Sequence, residues 1–398
     1  MKKLITGFSK EIVYVDQMLV NKIAGDMVNI STKVRSGENV LIHFEPGGRQ
    51  LALELARLSA LKGARVYYHI QDRELNAEIM KNSGKKDIVR FFSFDNAKFY
   101  EADVTFIIRS PKTAFAYESV PSPAINLFND AMNPALMEYR VNHSRWCLIY
   151  WPTPEEADIE GMSYENYVKL FFASCNQPWD KIQKTQDKLK NILDKGKLLT
   201  LTANPNDKDP RKRTKLEMSI KGMTFSNCTI DKNYPGAEIF SAPIKNSVNG
   251  QVFAEGMYSY NGKRMKNISL RFENGRVVSA TAQSGEKYLL EIIDTDEGSR
   301  YLGEIALGTN PGLRQRLFNP LLNEKVGGSF HLALGRSYQN ETYKGKTVKL
   351  FNGNISKIHW DITIMMRPEY GGGEVIVDGK IIQKNGKFTV RGLGMLNG

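Results

Sequence analysis

The chain has 398 residues, 41% of them hydrophobic and 25% charged, with a formal net charge of +12. That is the balance of a soluble globular protein with room for two domains. No apolar run approaches a membrane span, and residues 1–11 are basic without a continuous apolar stretch, so neither an anchor nor a secretory signal is expected and the cytoplasm is the default location. The odd, widely spaced cysteines Cys147, Cys175 and Cys228 make neither a disulfide framework nor a zinc-finger pattern. Cys147, inside the apolar run 146–151, reads as a small core residue. The densest basic stretch, 208–215, follows Asn204-Pro205-Asn206-Asp207 and reads as a solvated polar turn. The positive charge therefore speaks to solubility and weak non-specific binding, and nucleic acid is not the expected partner.

Strand-like and helix-like segments alternate along the first half. The apolar run 39–44 precedes Glu45-Pro46-Gly47-Gly48, and leucines 51, 53, 55, 58 and 61 give residues 49–61 helical periodicity. Residues 65–70 return to strand character, 72–81 to helix, and 104–108 and 146–151 are further buried-strand candidates. This alternation predicts an open, mostly parallel α/β sheet. Gly47-Gly48 lacks a dinucleotide-binding spacing and reads as a turn. Residues 163–197 read as two helices, the second strongly charged and amphipathic.

Near residue 197 the character changes. Stretches 198–202, 215–220, 267–272 and 276–282 are β-rich, with turn signals at Asn261-Gly262 and Asn274-Gly275. Helices are predicted at 285–294 and 298–307. The organisation expected is an N-terminal α/β domain over 1–197 and a β-rich α+β domain over 198–398.

Of five histidines, His43, His69 and His143 read as structural. His331 and His359 lie among carboxylates. In Ile358-His359-Trp360-Asp361-Ile362, strand alternation puts His359 and Asp361 on one face and the apolar residues on the other. Such a pair can ligate a metal through an imidazole nitrogen and a carboxylate oxygen, and it also occurs as a plain hydrogen-bonded couple. His331 sits among small and apolar residues flanked by glycines, with Tyr338 just beyond Gly335; that phenol either meets a metal-bound oxygen or simply packs. Glu304 stands alone in Tyr301-Leu302-Gly303-Glu304-Ile305-Ala306-Leu307, and a buried carboxylate needs a cation or strong donors. Glu238 follows a Pro-Gly turn at the mouth of a predicted strand. Three carboxylates and two neutral imidazoles balance two divalent cations and a bridging hydroxide, whereas one cation leaves a negative site that is expensive to bury.

Four blocks then carry a resemblance: Pro235-Gly236-Ala237-Glu238-Ile239-Phe240, residues 294–304 around Arg300-Tyr301-Leu302-Gly303-Glu304, His331-Leu332-Ala333-Leu334-Gly335-Arg336-Ser337-Tyr338, and His359-Trp360-Asp361. In order and spacing the chain resembles the aminopeptidase S/aminopeptidase T family of dinuclear metallopeptidases. In the first half the likeness is looser, at Trp151-Pro152-Thr153-Pro154 and Gly161-Met162-Ser163. The resemblance implies metal-ligand roles for Glu238, Glu304, His331, His359 and Asp361, an active-site role for Tyr338, and a homodimer enclosing a cavity. Ala237 stands where some members have a second glutamate, which leaves the implied ligand set intact.

The activity so implied is hydrolysis of the N-terminal residue of peptides by a water activated by two divalent ions, with zinc, cobalt, manganese and magnesium all suited to nitrogen and oxygen donors. Glu304 is the expected bridging ligand and catalytic residue, Tyr338 the expected oxyanion donor, and Glu324 and the metal-ligating carboxylates are the candidates for general base. The competing readings are a non-enzymatic basic scaffold that binds nucleic acid or another acidic partner, and a relative that keeps the fold without turnover.

Overall fold

A computed structural model describes residues 5–8, 13–94, 96–113 and 115–397. Residues 1–4 and 9–12, which hold most of the segment read for a leader, lie outside the described residues. The chain divides into two compact units, Met1–Cys175 with Ile230–Pro235, and Asn176–Thr229 with Gly236–Gly398. The sequence places a boundary near residue 197; by contacts the charged helix Trp179–Leu193 belongs with the second unit, and Ile230–Pro235 returns to the first.

The first unit is built on a five-stranded parallel sheet, ordered Asn233–Tyr234, Arg145–Tyr150, Val104–Arg109, Asn39–Phe44, Arg65–Ile70. Its central strands are apolar runs because both faces are covered. The helix Arg49–Leu61 crosses between two of them, burying Leu51 and Leu55 while Leu53 and Leu61 face solvent. Gly47 and Gly48 lie in a short 3-10 turn, where an added Cβ would meet Ser110 at 2.4 Å and Ile108 at 2.3 Å, so their role here is close packing. His43 and His69 stack, with Nδ1 atoms 2.8 Å apart, as structural histidines would. Cys147 is buried in its strand, and burial pushes its thiol up to about 12, the opposite of an activated nucleophile.

Among the described residues the second unit has two large antiparallel sheets and a two-stranded hairpin, Thr342–Tyr343 with Lys346–Thr347. The larger has eight strands; Asn261-Gly262 and Asn274-Gly275 form two of its hairpin turns, with positive φ at all four residues as a type I′ turn requires. The basic run 208–215 occupies the tip joining Leu198–Ala203 to Thr214–Ser219, where Arg211 pairs with Asp209 at 2.8 Å. The smaller sheet matters for function. Its strands, numbered along this sheet, are β1 (Ser226–Cys228), β2 (Glu238–Ser241), β3 (Leu302–Gly308), β4 (Ser329–Gly335) and β5 (His359–Met365), in spatial order β5-β4-β3-β2-β1.

The predicted helix over 298–307 is corrected here. Residues Glu297–Arg300 make one 3-10 turn, capped by Asp296 accepting from the Ser299 amide, and the rest is strand β3. All seven residues of β3 are buried. A strand covered on both faces loses its alternation, and a short apolar run then cannot be told from a buried helix.

Gly335 closes β4 at φ 101, and a Cβ there would lie 2.2 Å from the Ile358 carbonyl oxygen. Gly335→Ala is therefore expected to destabilise the protein by at least about 2 kcal/mol, adding backbone strain to a main-chain clash. Urea unfolding checks this, and an unchanged midpoint would contradict it.

Candidate metal centre

Sheet register decides which side chains meet. Gly335 opposes His359 and Ala333 opposes Asp361 across β4 and β5, while Ala333 also opposes Glu304 and His331 opposes Ala306 across β4 and β3. Glu238 opposes Gly308 across β2 and β3. The two-residue period of strands then puts Glu238, Glu304, His331, His359 and Asp361 on one face. The places between them are filled by Ala306, Ala333, Gly308 and Gly335, which leave room, and the opposite face carries Ile239, Ile305, Leu332, Trp360 and Ile362.

The five residues predicted as ligands fall into two groups, Glu238–Glu304–His331 and Glu304–His359–Asp361, each with donor atoms within 4.8 Å of one another, and Glu304 belongs to both. His331 Nε2 lies 3.5 Å from Glu238 Oε2 and 3.5 Å from Glu304 Oε1. His359 Nε2 lies 3.3 Å from Glu304 Oε2 and 3.7 Å from Asp361 Oδ1. The other nitrogen of His359, Nδ1, is 2.7 Å from the Arg336 carbonyl. A carbonyl only accepts, so Nδ1 carries the proton and Nε2 is turned to the carboxylates, as a metal-ligating histidine requires. His331 Nδ1 is buried without a hydrogen-bond partner. Nitrogen and carboxylate donors that converge, with Glu238, Glu304 and His331 buried and His359 and Asp361 partly exposed, fit a divalent cation.

Three features escape the sequence. Lys325 is fully buried, its ammonium 2.6 Å from Glu238 Oε2 and 2.9 Å from Glu324 Oε2. It ends the short helix Pro320–Lys325, which starts on the Asn319 side chain and a proline at its first position. The two-cation charge count leaves out Lys325 and Glu324, since nothing in Asn323-Glu324-Lys325 as a sequence announces that the lysine is buried. Gln186, also buried, donates to the Glu238 carbonyl at 3.1 Å and to Thr309 Oγ1 at 2.9 Å, and accepts from Thr229 Oγ1 at 2.8 Å, tying the Trp179–Leu193 helix to β2. Asn354 donates to the carbonyls of Gly298 and Gly335 at 2.9 and 2.6 Å, fixing the turn that leads to His359. In a sequence such buried amides look like any polar residue.

The electrostatics are those of a concentrated negative charge. Burial alone would raise the Glu304 carboxyl; hydrogen bonds and positive charge from His331 and His359 outweigh it and hold it well below the usual range. Burial would likewise lower the two histidines, yet Glu304 and Glu238 carry His331 to about 9, and Asp361 and Glu304 carry His359 to about 10. Asp361 is pushed up, first by burial. Glu324 rises to about 7, mainly from burial, with Asp361 and Glu238 adding to it against the pull of Lys325. The ring of Tyr338 lies 5.4 Å from those of His359 and Phe240. Desolvation and then the site carboxylates hold its phenol well above the ordinary tyrosine value, so it stays a proton donor. The side chain is nonetheless 36% exposed, at the rim of the site.

The family profile described as thermophilic metalloprotease (M29) matches residues 16–388. Aminopeptidase AmpS of Bacillus subtilis is 41% identical over 118 residues, 29% of this chain and 28% of that protein. Aminopeptidase T of Thermus thermophilus is 36% identical over 154 residues, 37% of this chain and 36% of that protein. These alignments thus span about a third of the relatives' lengths. Among solved structures, wild-type AmpT from Thermus thermophilus superimposes with a TM-score of 0.75 at 20% identity, covering 94% of this chain and all of that one. A 2,5-dihydroxypyridine dioxygenase from Pseudomonas putida KT2440 shares the fold more distantly, with a TM-score of 0.56 at 11% identity over 96% of this chain and all of that one.

A metal ion entering this site must displace the protons that the carboxylates draw onto the imidazoles. Below about pH 9 loading is expected to release protons and to tighten as pH rises; above about pH 10, past both histidine values, the dependence flattens. Titration calorimetry of metal-stripped protein in two buffers of different ionisation enthalpy measures the release. Identical heats in both buffers at pH 7.5 would contradict it.

Proposed function

This chain belongs to the thermophilic metalloprotease (M29) family, and on that premise we propose that it is a metal-dependent aminopeptidase, hydrolysing the N-terminal residue from peptides. The observation that carries the reading is the pair of donor groups that share Glu304 on one sheet face. The relatives' name, aminopeptidase, supports the substrate class. Glu238, Glu304, His331, His359 and Asp361 would hold divalent metal, Glu304 being common to both groups of donors. A divalent ion bound there brings a water of lowered pKa and a Lewis acid for the scissile carbonyl; zinc, cobalt, manganese and magnesium all suit the donors.

The chain's own residues supply the rest. Tyr338, held protonated, donates to the oxygen on which charge develops. Glu324, a half-buried carboxylate paired with Lys325 and outside both donor groups, is the general base: it takes a proton at its carboxylate and returns it to the departing amine. Site carboxylates in excess over Lys325 favour a substrate with a free α-ammonium group, which confines cleavage to the N-terminus. We further propose that the chain works as a homodimer in the cytoplasm. The edge strand Arg65–Ile70 supports the dimer, since Tyr67, Tyr68 and Ile70 on it are each at least half exposed and a second copy would cover them. Among the described residues no helix is long and apolar enough to cross a membrane.

Metal-loaded protein is expected to cleave leucyl-p-nitroanilide and to leave the N-acetylated analogue intact. His359→Ala and Glu304→Gln should each lower kcat/KM at least about a thousandfold with unchanged circular dichroism. Wild-type-like turnover in both variants would sink the assignment. Glu324→Gln is expected to lower kcat by about a hundredfold or more while metal content stays the same; an unaffected kcat would remove Glu324 from the mechanism.

A further inference from the structure

One corner of the donor set already contains a cation. Lys325 is 0% exposed, and its ammonium lies 2.6 Å from Glu238 Oε2. The same oxygen lies 3.5 Å from His331 Nε2, so the ammonium and the Glu238–Glu304–His331 corner share a ligand atom. Lys325 is held in place: its carbonyl accepts from the Asn310 amide at 2.9 Å, and its second partner, Glu324, lies 2.9 Å away. The other corner is built differently, with the Glu304 and Asp361 carboxylates facing His359 Nε2 at 3.3 and 3.7 Å.

The charges divide along the same line. Lys325 lies between the carboxylates of Glu238 and Glu324, and the other two, Glu304 and Asp361, are left to face one divalent ion. A second ion at the Glu238 corner would compete with a fixed ammonium for one oxygen and be repelled by it. At an effective dielectric near 20, a charge of +1 about 5 Å from a charge of +2 weakens binding by far more than a hundredfold.

We propose that Lys325 is a resident cation of this centre, standing in for a metal ion at the Glu238 corner, so that the chain holds one tightly bound divalent ion, on Glu304, His359 and Asp361. The proposal rests on the reading of the site as a metal centre, and its test separates the two. Full-length protein is stripped with chelator, loaded with excess zinc, desalted and assayed by elemental analysis, with zinc titrations followed by calorimetry.

The wild type is expected to retain one zinc per chain, with any second ion at least about a hundredfold weaker. Glu238→Gln should leave the affinity of the first ion within about threefold, and His359→Ala should abolish it. Lys325→Met should tighten the second ion at least about a hundredfold. Two zinc ions of comparable affinity in the wild type, or loss of the first ion in Glu238→Gln, would overturn the proposal while leaving a metal centre in place. No retained zinc would overturn both. Should Lys325→Met fail to fold, the wild-type stoichiometry and Glu238→Gln decide the matter.

Discussion

The second unit is organised around one electrostatic constraint: Glu238, Glu304 and Asp361 share a single sheet face with Glu324 beside them, and because Glu238 and Glu304 are buried the group needs countercharge beyond what water supplies. The surrounding architecture answers that need. Ala306, Ala333, Gly308 and Gly335 keep the face open between the ligands. Asn354 and the Arg336 carbonyl orient His359, and Gln186 fixes the main chain at Glu238. These positioning contacts come from backbone and amide groups, which do not titrate, so the charged residues remain free for cations and substrate.

Fold likeness does not choose the chemistry. The same architecture is shared, at low identity, with a protein titled an AmpT and with one titled a dioxygenase. The chemistry has to be read from side chains such as those on the face of the five-stranded sheet, where the buried Lys325 lies against the predicted ligand Glu238. A lysine in that position makes the two corners unequal. It leaves Glu304 common to both donor groups, with Lys325 holding Glu238 at one of them.

Much of this is legible in the sequence, for identifiable reasons. The strands at 39–44, 65–70 and 146–151 and the helix at 49–61 have distinct periods and clear punctuation, and type I′ turns at Asn261-Gly262 and Asn274-Gly275 announce themselves. His359 and Asp361 share a face because strand geometry demands it. Strand β3 reads as helix because burial on both faces erases its alternation, and with it the geometry that puts Glu304 beside two histidines. Lys325 and Gln186 are invisible for the opposite reason: polar residues are expected outside, and only tertiary packing puts them at 0% exposure. The charge count made on the sequence leaves out Lys325 and Glu324, which carry opposite charges and so change where the charge lies and not its total.

The most direct test of the account is where a metal ion binds. Anomalous diffraction from crystals grown with zinc would locate it independently of activity. The account predicts a peak about 2.0–2.2 Å from donor atoms of Glu304, His359 and Asp361. A strong peak elsewhere in the chain, with none at Glu304, would contradict the assignment of this face as the catalytic centre.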